Sequence, residues 1–435
     1  MSSSGNSLHA KLVSLVSRGP ELTSIFFFAP VEEKCHLEET LASATWGLPL
    51  VIWRSNRTVI LNGFLGEGLL VLACLPGLKW RALLSSLSRS LKYLRQARVL
   101  IELMEARDEL LVQKVLEFSL SQEMTNANVI FGDFAETQRV SRFEAFPQFK
   151  VVNYSFTENT KESDLYPDKM LDLRGGVIRT MPDYSEPNTI LYQDKQGNKQ
   201  ILGYLWDIME AYAKKHNAQL QVVNKYADGR TLNFIELLDV ARSVAIDIAA
   251  SIQPMSMGVL ERTHEMSYPV NLASWCTMLP VERHPRATDL IEMRNALNTS
   301  FGYTVTSEKW KLYNELQKRS SRPLFRYSKD LCFYELVPFG LVIPENSAHR
   351  APLHRFILLL WQSGLHDLWV SRGFSNMVKA GKIHFAIFGE RYQAHTLNIT
   401  DLRHVLMVYG SGVLISLFLF ACELSVSWVS YWLGF

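Results

Sequence analysis

The stretch GYLWDIMEAYAKKHNAQLQVV, from Gly203 to Val223, decides the fold class of this chain. Ile208 and Tyr212 lie four residues apart, so Leu205–His216 is predicted to be a helix with one apolar face. Gln219–Val223 then has the length and composition of a strand. A helix followed directly by a short strand is typical of an α/β layer.

The same alternation continues toward the amino terminus. Apolar runs of strand length, such as Leu22–Pro30 (LTSIFFFAP) and Glu67–Gly77 (EGLLVLACLPG), alternate with stretches of helical periodicity. Residues 1–145 are therefore predicted to form an α/β domain of their own, and they contain no catalytic motif.

Composition and motifs exclude several functions. The net charge is +2 and no basic stripe interleaved with aromatic residues occurs, so nucleic acid is not an expected partner. The sequence lacks a nucleophile elbow, HExxH, a P-loop, GxGxxG and paired catalytic carboxylates. We therefore expect a protein that is not an enzyme, without catalytic residues or a cofactor.

The five cysteines have no metal-type spacing, so no metal site is expected. Either they are buried free thiols, or one disulfide forms among the first four. Four sequons permit glycosylation if they face the outside of the cell; their acceptors are Asn56, Asn153, Asn298 and Asn398.

The carboxyl-terminal region is predicted to meet the membrane. Val405–Cys422 has no charge in 18 residues, so a transmembrane helix is predicted over residues 404–423, followed by an interfacial tail at 424–435. The amino terminus does not form a secretory signal, because polar residues interrupt its apolar positions. Lys382, Arg391 and Arg403 precede the predicted span, and the positive-inside rule would place the large domain in the cytoplasm. That rule is weak for large translocated domains.

A family resemblance emerges in the region around the opening stretch. Gly203–Asp207, followed by a helix and by Asn217–Leu220, resembles the first lobe of ionotropic glutamate receptor ligand-binding domains. Ser274–Arg283 resembles the strand that leaves this lobe toward the membrane. Ser300–Trp310 and Pro338–Pro344 resemble segments of the second lobe. The amino-acid sequences of these segments are most similar to those of the divergent insect ionotropic receptors, and the resemblance covers about residues 146–425.

This resemblance implies a fold and an order of domains. The implied fold is a two-lobed clamp like that of periplasmic binding proteins. A reduced α/β amino-terminal domain precedes it, and one transmembrane helix follows it. The implied boundaries are 1–145 for the amino-terminal domain, 146–395 for the clamp with halves ending near 283 and starting near 289, 404–423 for the helix and 424–435 for the tail.

The junction between the halves departs from the family. Family members form their pore between the positions that match Arg283 and Asp289, and here only a few charged or polar residues stand there. Each spanning helix would need about 20 apolar residues. We therefore expect a clamp without a pore.

The resemblance also indicates ligand contacts. Leu260 occupies the position of the family's carboxylate-binding arginine, and leucine cannot donate a hydrogen bond; a slip of two residues would restore Arg262. Thr306 and Ser307 match a hydroxyl pair at a helix start, where they either bind an anion or only cap the helix. Asp330 lies near the family's acidic contact, or is a solvated loop charge.

The implied function is that of a subunit of the chemosensory ligand-gated cation channel family. Such a subunit binds a small ligand by lobe closure, at the plasma membrane, with most of the chain extracellular and with other ionotropic receptor subunits as partners. Because the pore is missing, we do not expect the chain to conduct alone. The alternative is a single-pass, membrane-anchored protein that binds or presents a small molecule.

Overall fold

The computed structural model describes residues 3–19, 21–31, 34–43, 47–223, 234–255, 264–280, 294, 297–299, 301–318, 323–383 and 403–433. Contacts divide the chain into two compact units. One comprises Met1–Leu316 with Leu324–Phe385, and the other comprises Gln317–Pro323 with Ala386–Phe435. The predicted junction at 283–289 lies outside the described residues.

The amino-terminal domain is a seven-stranded sheet with helices on both faces. Its elements are α1 Ser3–Val16, β1 Ser24–Ala29, α2 His36–Ser43, β2 Leu50–Arg54, β3 Leu69–Leu75, α3 Trp80–Ser90, β4 Arg98–Leu103, α4 Glu109–Ser121, β5 Ala127–Phe131, α5 Phe134–Thr137, β6 Arg139–Glu144 and β7 Lys150–Ser155. The strand order is β2-β1-β3-β4-β5-β6-β7. The first five strands run parallel, and β6 and β7 form an antiparallel edge. The sheet thus extends past the predicted end at residue 145.

The apolar run in β1 explains these layers. Successive side chains of a strand point to opposite faces. Phe26 and Phe28 accordingly join the cluster that contains the inner faces of α3 and α4, while Ile25 and Phe27 join the one that contains α1 and α2. A parallel strand that is buried on both faces is a nearly continuous apolar run, and β1 is apolar from Ile25 to Ala29.

The clamp follows, and its elements alternate as the sequence predicts. They are β8 Val177–Pro182, β9 Ile190–Gln193, β10 Lys199–Leu202, α7 Tyr204–Lys215, β11 Gln219–Val222, α8 Phe234–Arg242, β12 Ile248–Ala250, β13 Ile252–Pro254, β14 Met266–Pro280, β15 Tyr303–Thr306, α9 Ser307–Gln317, β16 Phe325–Val342, α10 Arg350–Gln362, α11 Leu365–Ser371 and α12 Gly373–Lys379. The short helix α6, Glu162–Leu165, precedes them and packs on the amino-terminal domain, with Leu165 in the cluster that contains α1 and α2.

The first lobe is built on the parallel sheet β11-β8-β12. The helices α7 and α10 cover one face, where Ile208, Tyr212 and Ile357 are fully buried. Leu237 and Leu238 of α8 pack in a separate cluster with Met181 of β8. The helix predicted from the opening stretch is therefore confirmed, and its apolar stripe faces the sheet.

Two long antiparallel strands connect this lobe with the second one. β14 contributes Val270 to the core of the first lobe and Met278 to that of the second. β16 runs back, with Phe325 in the second core and Leu341 in the first. The second lobe adds β15 and α9, with Tyr313 buried between them and α12. The chain therefore forms a two-lobed clamp, in which β14 and β16 each contribute residues to both cores.

Two disulfides occur in the described part of the chain. One joins Cys35 to Cys74 in the amino-terminal domain, and the other joins Cys276 to Cys332 between β14 and β16. The sequence left one pair or free thiols open. Cys276 and Cys332 lie directly opposite each other in the strand register, which sequence spacing cannot reveal.

The helix α13, Arg403–Leu433, belongs to the second unit. The membrane span predicted at 404–423 is not supported. Within the ranges described above, no helix reaches the combination of length and apolarity that crossing a membrane requires, which is about 20 consecutive, mostly apolar residues.

Candidate functional site

A cavity of about 310 Å³ lies between the two lobes of the clamp. Asp183 lines it and directly follows β8, which pairs with β12 in the parallel sheet. Ligands of open α/β sheets bind outside the carboxyl ends of such strands. The volume is at the lower end for small-molecule sites, so the cavity suits a ligand of amino-acid size.

Asp183 is a buried carboxylate held by three donors. Its Oδ1 accepts from the Ser185 backbone N–H at 2.9 Å and from Thr189 Oγ1 at 2.7 Å, and its Oδ2 accepts from Ser251 Oγ at 2.8 Å. Burial raises the pKa of Asp183, and the three hydrogen bonds oppose this shift. The carboxylate therefore organises the floor of the cleft rather than offering open lone pairs to a ligand.

Lys309 supplies a cation from the first turn of α9. Its Nζ donates to Ser185 Oγ at 2.7 Å, so the second lobe is connected to the loop after β8. Burial and, to a lesser degree, the positive charge of Arg294 lower the pKa of Lys309 to about 8. Titratable groups with perturbed pKa values in a cleft are typical of functional sites.

Arg294 and Glu308 line the cavity, and each has a buried polar atom without a described partner. The Nε of Arg294 and the Oε2 of Glu308 are buried and have no hydrogen-bond partner among the described residues. The other oxygen of Glu308 accepts from Ser307 Oγ at 3.0 Å. An unpaired buried donor or acceptor costs about 1–3 kcal/mol. A ligand with one acceptor group and one donor group would satisfy both atoms.

Apolar and aromatic side chains complete the walls. Tyr204 and Phe339 are almost fully buried, and Trp275 of β14 stands beside them. The Trp275 ring lies 6.1 Å from that of Tyr334. Burial raises the pKa of Tyr204, so its hydroxyl is a neutral donor in the cleft. Such walls exclude water and leave only a few polar contacts to fix the orientation of a ligand.

The two hydroxyl residues predicted at the start of α9 have different surroundings. Thr306 lines the cavity, and its Oγ1 accepts from the Lys309 backbone N–H at 3.4 Å, which is the geometry of a helix cap. Ser307 is not among the residues that line the cavity. Its Oγ accepts from the Ser274 N–H at 3.4 Å, toward β14. The ligand role of both residues stays a prediction.

The other predicted ligand residues lie elsewhere. Asp330 is exposed on β16 and does not line the cavity. Leu260 and Arg262 lie outside the described residues, so their ligand role stays a prediction. Arg242, a further arginine of the first lobe, forms a two-point ion pair with buried Glu265, with distances of 2.6 and 3.1 Å.

The predicted glycosylation acceptors also stay predictions. Asn56 and Asn153 are exposed, and Asn298 is partly buried. Asn153 lies in β7, where its Oδ1 accepts from Ser141 Oγ at 2.7 Å. Asn398 lies outside the described ranges.

Sequence reasoning missed Asp183, Arg294, Glu308 and Lys309. One signal was available for Asp183, because it directly follows the predicted strand that ends at Pro182. Polar residues at the carboxyl end of a parallel strand point to a site. For the other three the sequence held no such signal, since their approach to the first lobe depends on the return of the chain along β14 and β16.

No protein-family model and no curated protein matches the sequence. Solved structures are similar to nearly half of it. The AvGluR1 ligand-binding domain in complex with serine is 14% identical with a TM-score of 0.35, over 47% of this chain and 97% of that one. An ancestral cationic amino acid solute-binding protein is 13% identical with a TM-score of 0.33, over 46% and 96%.

An amino acid transporter substrate-binding protein from Streptococcus pneumoniae, bound to L-arginine, is 12% identical with a TM-score of 0.33, over 46% of this chain and 93% of that one. The ligands in these names belong to those proteins. What this chain binds has to be derived from the residues of its own cleft.

Proposed function

We propose that the clamp binds a small dipolar molecule, with one anionic and one cationic group, in the cleft between its lobes. The observation that carries this proposal is the pair of buried atoms without described partners, Arg294 Nε and Glu308 Oε2. Lys309 adds positive charge and Asp183 adds negative charge beside them. A ligand with a single charge would satisfy one of the two atoms and leave the other unpaired.

Closure of the lobes is the expected mechanism. Lys309 of the second lobe already reaches Ser185 of the first at 2.7 Å. β14 and β16 are continuous through both cores, so bending of these two strands would open and close the cleft. A ligand stabilises the closed form only by the extra contacts that it makes there.

The finer proposal is that this clamp senses a ligand as part of a receptor subunit of the ionotropic type. It is supported by the order of the lobe segments in the sequence and by the pairing of β14 with β15, from Trp275↔Thr306 to Met278↔Tyr303. Because β14 and β15 are antiparallel, the start of β15 lies beside the end of β14 in the second lobe. Family members place their pore at that point, and other subunits would have to supply one here.

The disulfides support a location outside the reducing cytosol. Disulfide bonds persist in secreted and extracellular domains and are rare in cytosolic ones. Cys35–Cys74 and Cys276–Cys332 lie in two different domains. We therefore propose that both the amino-terminal domain and the clamp face the extracellular side or the lumen of the secretory pathway.

Calorimetry on the purified full chain tests the binding proposal. The panel contains the common amino acids together with their matching amines and carboxylic acids, which keep one charge each. We expect a zwitterion to bind, and its single-charge analogues to bind about 10- to 100-fold more weakly, since a hydrogen bond to a charged group contributes about 1.5–3 kcal/mol. Equal binding of the single-charge analogues would contradict the proposal.

Glu308→Gln and Arg294→Gln should each weaken the binding of the zwitterion by a similar factor. Asp330→Asn is the matched control, because this carboxylate lies outside the cavity and its loss should leave the affinity unchanged.

The receptor role requires a second experiment. The chain is expressed in cells with and without full-length receptor subunits, and current is recorded during application of the ligand. Binding without any change in current would favour a binding protein that acts without a channel.

A further inference from the structure

A second cluster of polar side chains lies in the amino-terminal domain, away from the cleft. His9 of α1, His36 at the start of α2 and Glu102 of β4 have their nitrogen and carboxylate oxygen atoms within 4.8 Å of one another. The three residues are far apart in the sequence. We propose that they bind a divalent transition-metal ion of the zinc type.

The three side chains supply a suitable set of ligands. Two imidazoles and one carboxylate, with a fourth position left to water, form a common zinc site in proteins. His36 Nδ1 and Glu102 Oε1 are 2.7 Å apart. Zinc–ligand bonds of about 2.0–2.1 Å in a tetrahedron place neighbouring ligand atoms about 3.3 Å apart, so this pair needs to separate only slightly.

The carboxylate is oriented by the protein backbone. Glu102 Oε2 accepts from the Leu37 N–H at 2.9 Å, at the start of α2. This hydrogen bond fixes the side chain and leaves Oε1 directed toward His36. A hydrogen bond that orients a metal-binding side chain raises the metal affinity of the site.

The histidines differ in accessibility in a way that suits entry of an ion. His9 is fully buried, and its ring stacks on that of His36 at 4.9 Å between centroids. Glu102 is 1% exposed, whereas the side chain of His36 is 45% exposed. His36 therefore forms the open side of the site, and the buried residues form its base.

The neighbouring disulfide defines the state of the protein that binds the ion. The sulfurs of Cys35 and Cys74 also lie within 4.8 Å of a Glu102 oxygen. While they are joined, they offer no thiolate to a metal. The proposed site in the oxidised protein thus has nitrogen and oxygen ligands only.

Metal titration of the intact protein tests this inference. The full chain, with its disulfides formed, is stripped with a chelator and titrated with Co²⁺, and then with Zn²⁺ in competition. We expect one ion per chain, with a visible absorption spectrum of nitrogen and oxygen ligation. His36→Gln should weaken binding at least about tenfold, as should His9→Phe, which keeps an aromatic ring at the buried position.

His354→Gln is the control, since this partly buried histidine lies in the clamp and its substitution should leave metal binding unchanged. Circular dichroism of each variant establishes that it is folded, and His36→Gln replaces a half-exposed side chain, so it should fold. Lack of stoichiometric binding, or equal affinity in His36→Gln and the parent, would overturn the proposal. Binding only after reduction, with a thiolate-to-cobalt band, would overturn it too and would assign the site to the cysteines.

Discussion

At the scale of single residues, burial changes the chemistry of several side chains. Asp183 and Lys309 line the cleft with pKa values shifted toward their neutral forms, because burial penalises their charges. His349 shows the same effect in the core of the first lobe, where its Nδ1 lies 3.1 Å from the hydroxyl of Tyr212. Burial lowers the pKa of His349 to about 4.

The stability of the first lobe should therefore depend on pH through His349. Its pKa is about 4 in the folded protein and 6.5 when unfolded. Below pH 6.5 the unfolded chain takes up a proton that the folded one does not, so stability is lost as the pH falls from 6.5 toward 4. We expect a loss of about 2 kcal/mol between pH 7 and pH 5.

Denaturant unfolding at both pH values measures this loss. His349→Gln removes the titrating group, and other acid effects cancel when the variant is compared with the parent. A difference between pH 7 and pH 5 that is the same in both proteins would show that His349 is not responsible.

At the scale of elements, the start of α7 depends on one glycine. Gly203 has a φ of +115°, and a Cβ placed on it would lie 2.3 Å from the backbone oxygen of Asn188. This oxygen also accepts from the Leu205 N–H at 3.2 Å, so the helix start is packed against the preceding loop. A side chain at this position conflicts with both the backbone conformation and the packing.

Gly203→Ala should accordingly destabilise the clamp. We expect a loss of about 1–3 kcal/mol, the range for a residue forced into a sparsely populated conformation. Gly63→Ala is the matched control, because no atom lies within 4 Å of its added Cβ. The test is the free energy of unfolding of each variant compared with that of the parent protein. Equal losses in the two variants would contradict the role assigned to Gly203.

The strands β14 and β16 offer a second test at this scale. The bond between Cys276 and Cys332 closes a loop with a sequence separation of 56 residues. Replacement of both cysteines by serine should lower the free energy of unfolding by about 2–4 kcal/mol, because the unfolded chain gains conformational freedom. Peptide mapping without reduction provides the control, since it identifies which cysteines are joined in the parent. Unchanged stability of the doubly substituted protein would argue against the bond.

At the scale of the whole molecule, residues 92–96 form one of the contacts between the amino-terminal domain and the clamp. Asn346 accepts from the Tyr93 N–H at 2.7 Å with its Oδ1, and its backbone oxygen accepts from Gln96 Nε2 at 3.2 Å. Next to it, Lys92 pairs with Glu345 at 2.8 Å, and the Tyr93 ring stacks on His264 at 4.0 Å. These contacts couple the domain to the loop between β16 and α10.

Asn346→Ala should weaken this coupling by about 1–3 kcal/mol, because it leaves the Tyr93 N–H without its acceptor. Hydrogen exchange should then become faster in residues 92–96 and in the loop that follows β16, with little change in the parallel strands. Asn56→Ala, an exposed position, serves as the control. Faster exchange throughout the amino-terminal sheet would indicate unfolding of the domain instead.

The sequence by itself determined the elements. β3 is apolar at every position, and α7 carries its apolar residues at helical spacing, so local patterns predict both the α/β class and the alternation. The bilobal order was implied by the resemblance of segments such as Pro338–Pro344, and the structure has the corresponding long strand β16.

Only the tertiary structure decided the sites. Arg294 and Glu308 come near Asp183 because β14 and β16 carry the chain out and back, and His9, His36 and Glu102 meet because α1 and α2 pack on the face of the sheet to which Glu102 of β4 points. The same holds for the cysteine pairs: strand register sets Cys276 opposite Cys332, and the packing of the segment before α2 on β3 brings Cys35 to Cys74. Local patterns record which face of an element is buried, but contacts between distant residues depend on the packing of whole elements, which no short pattern encodes.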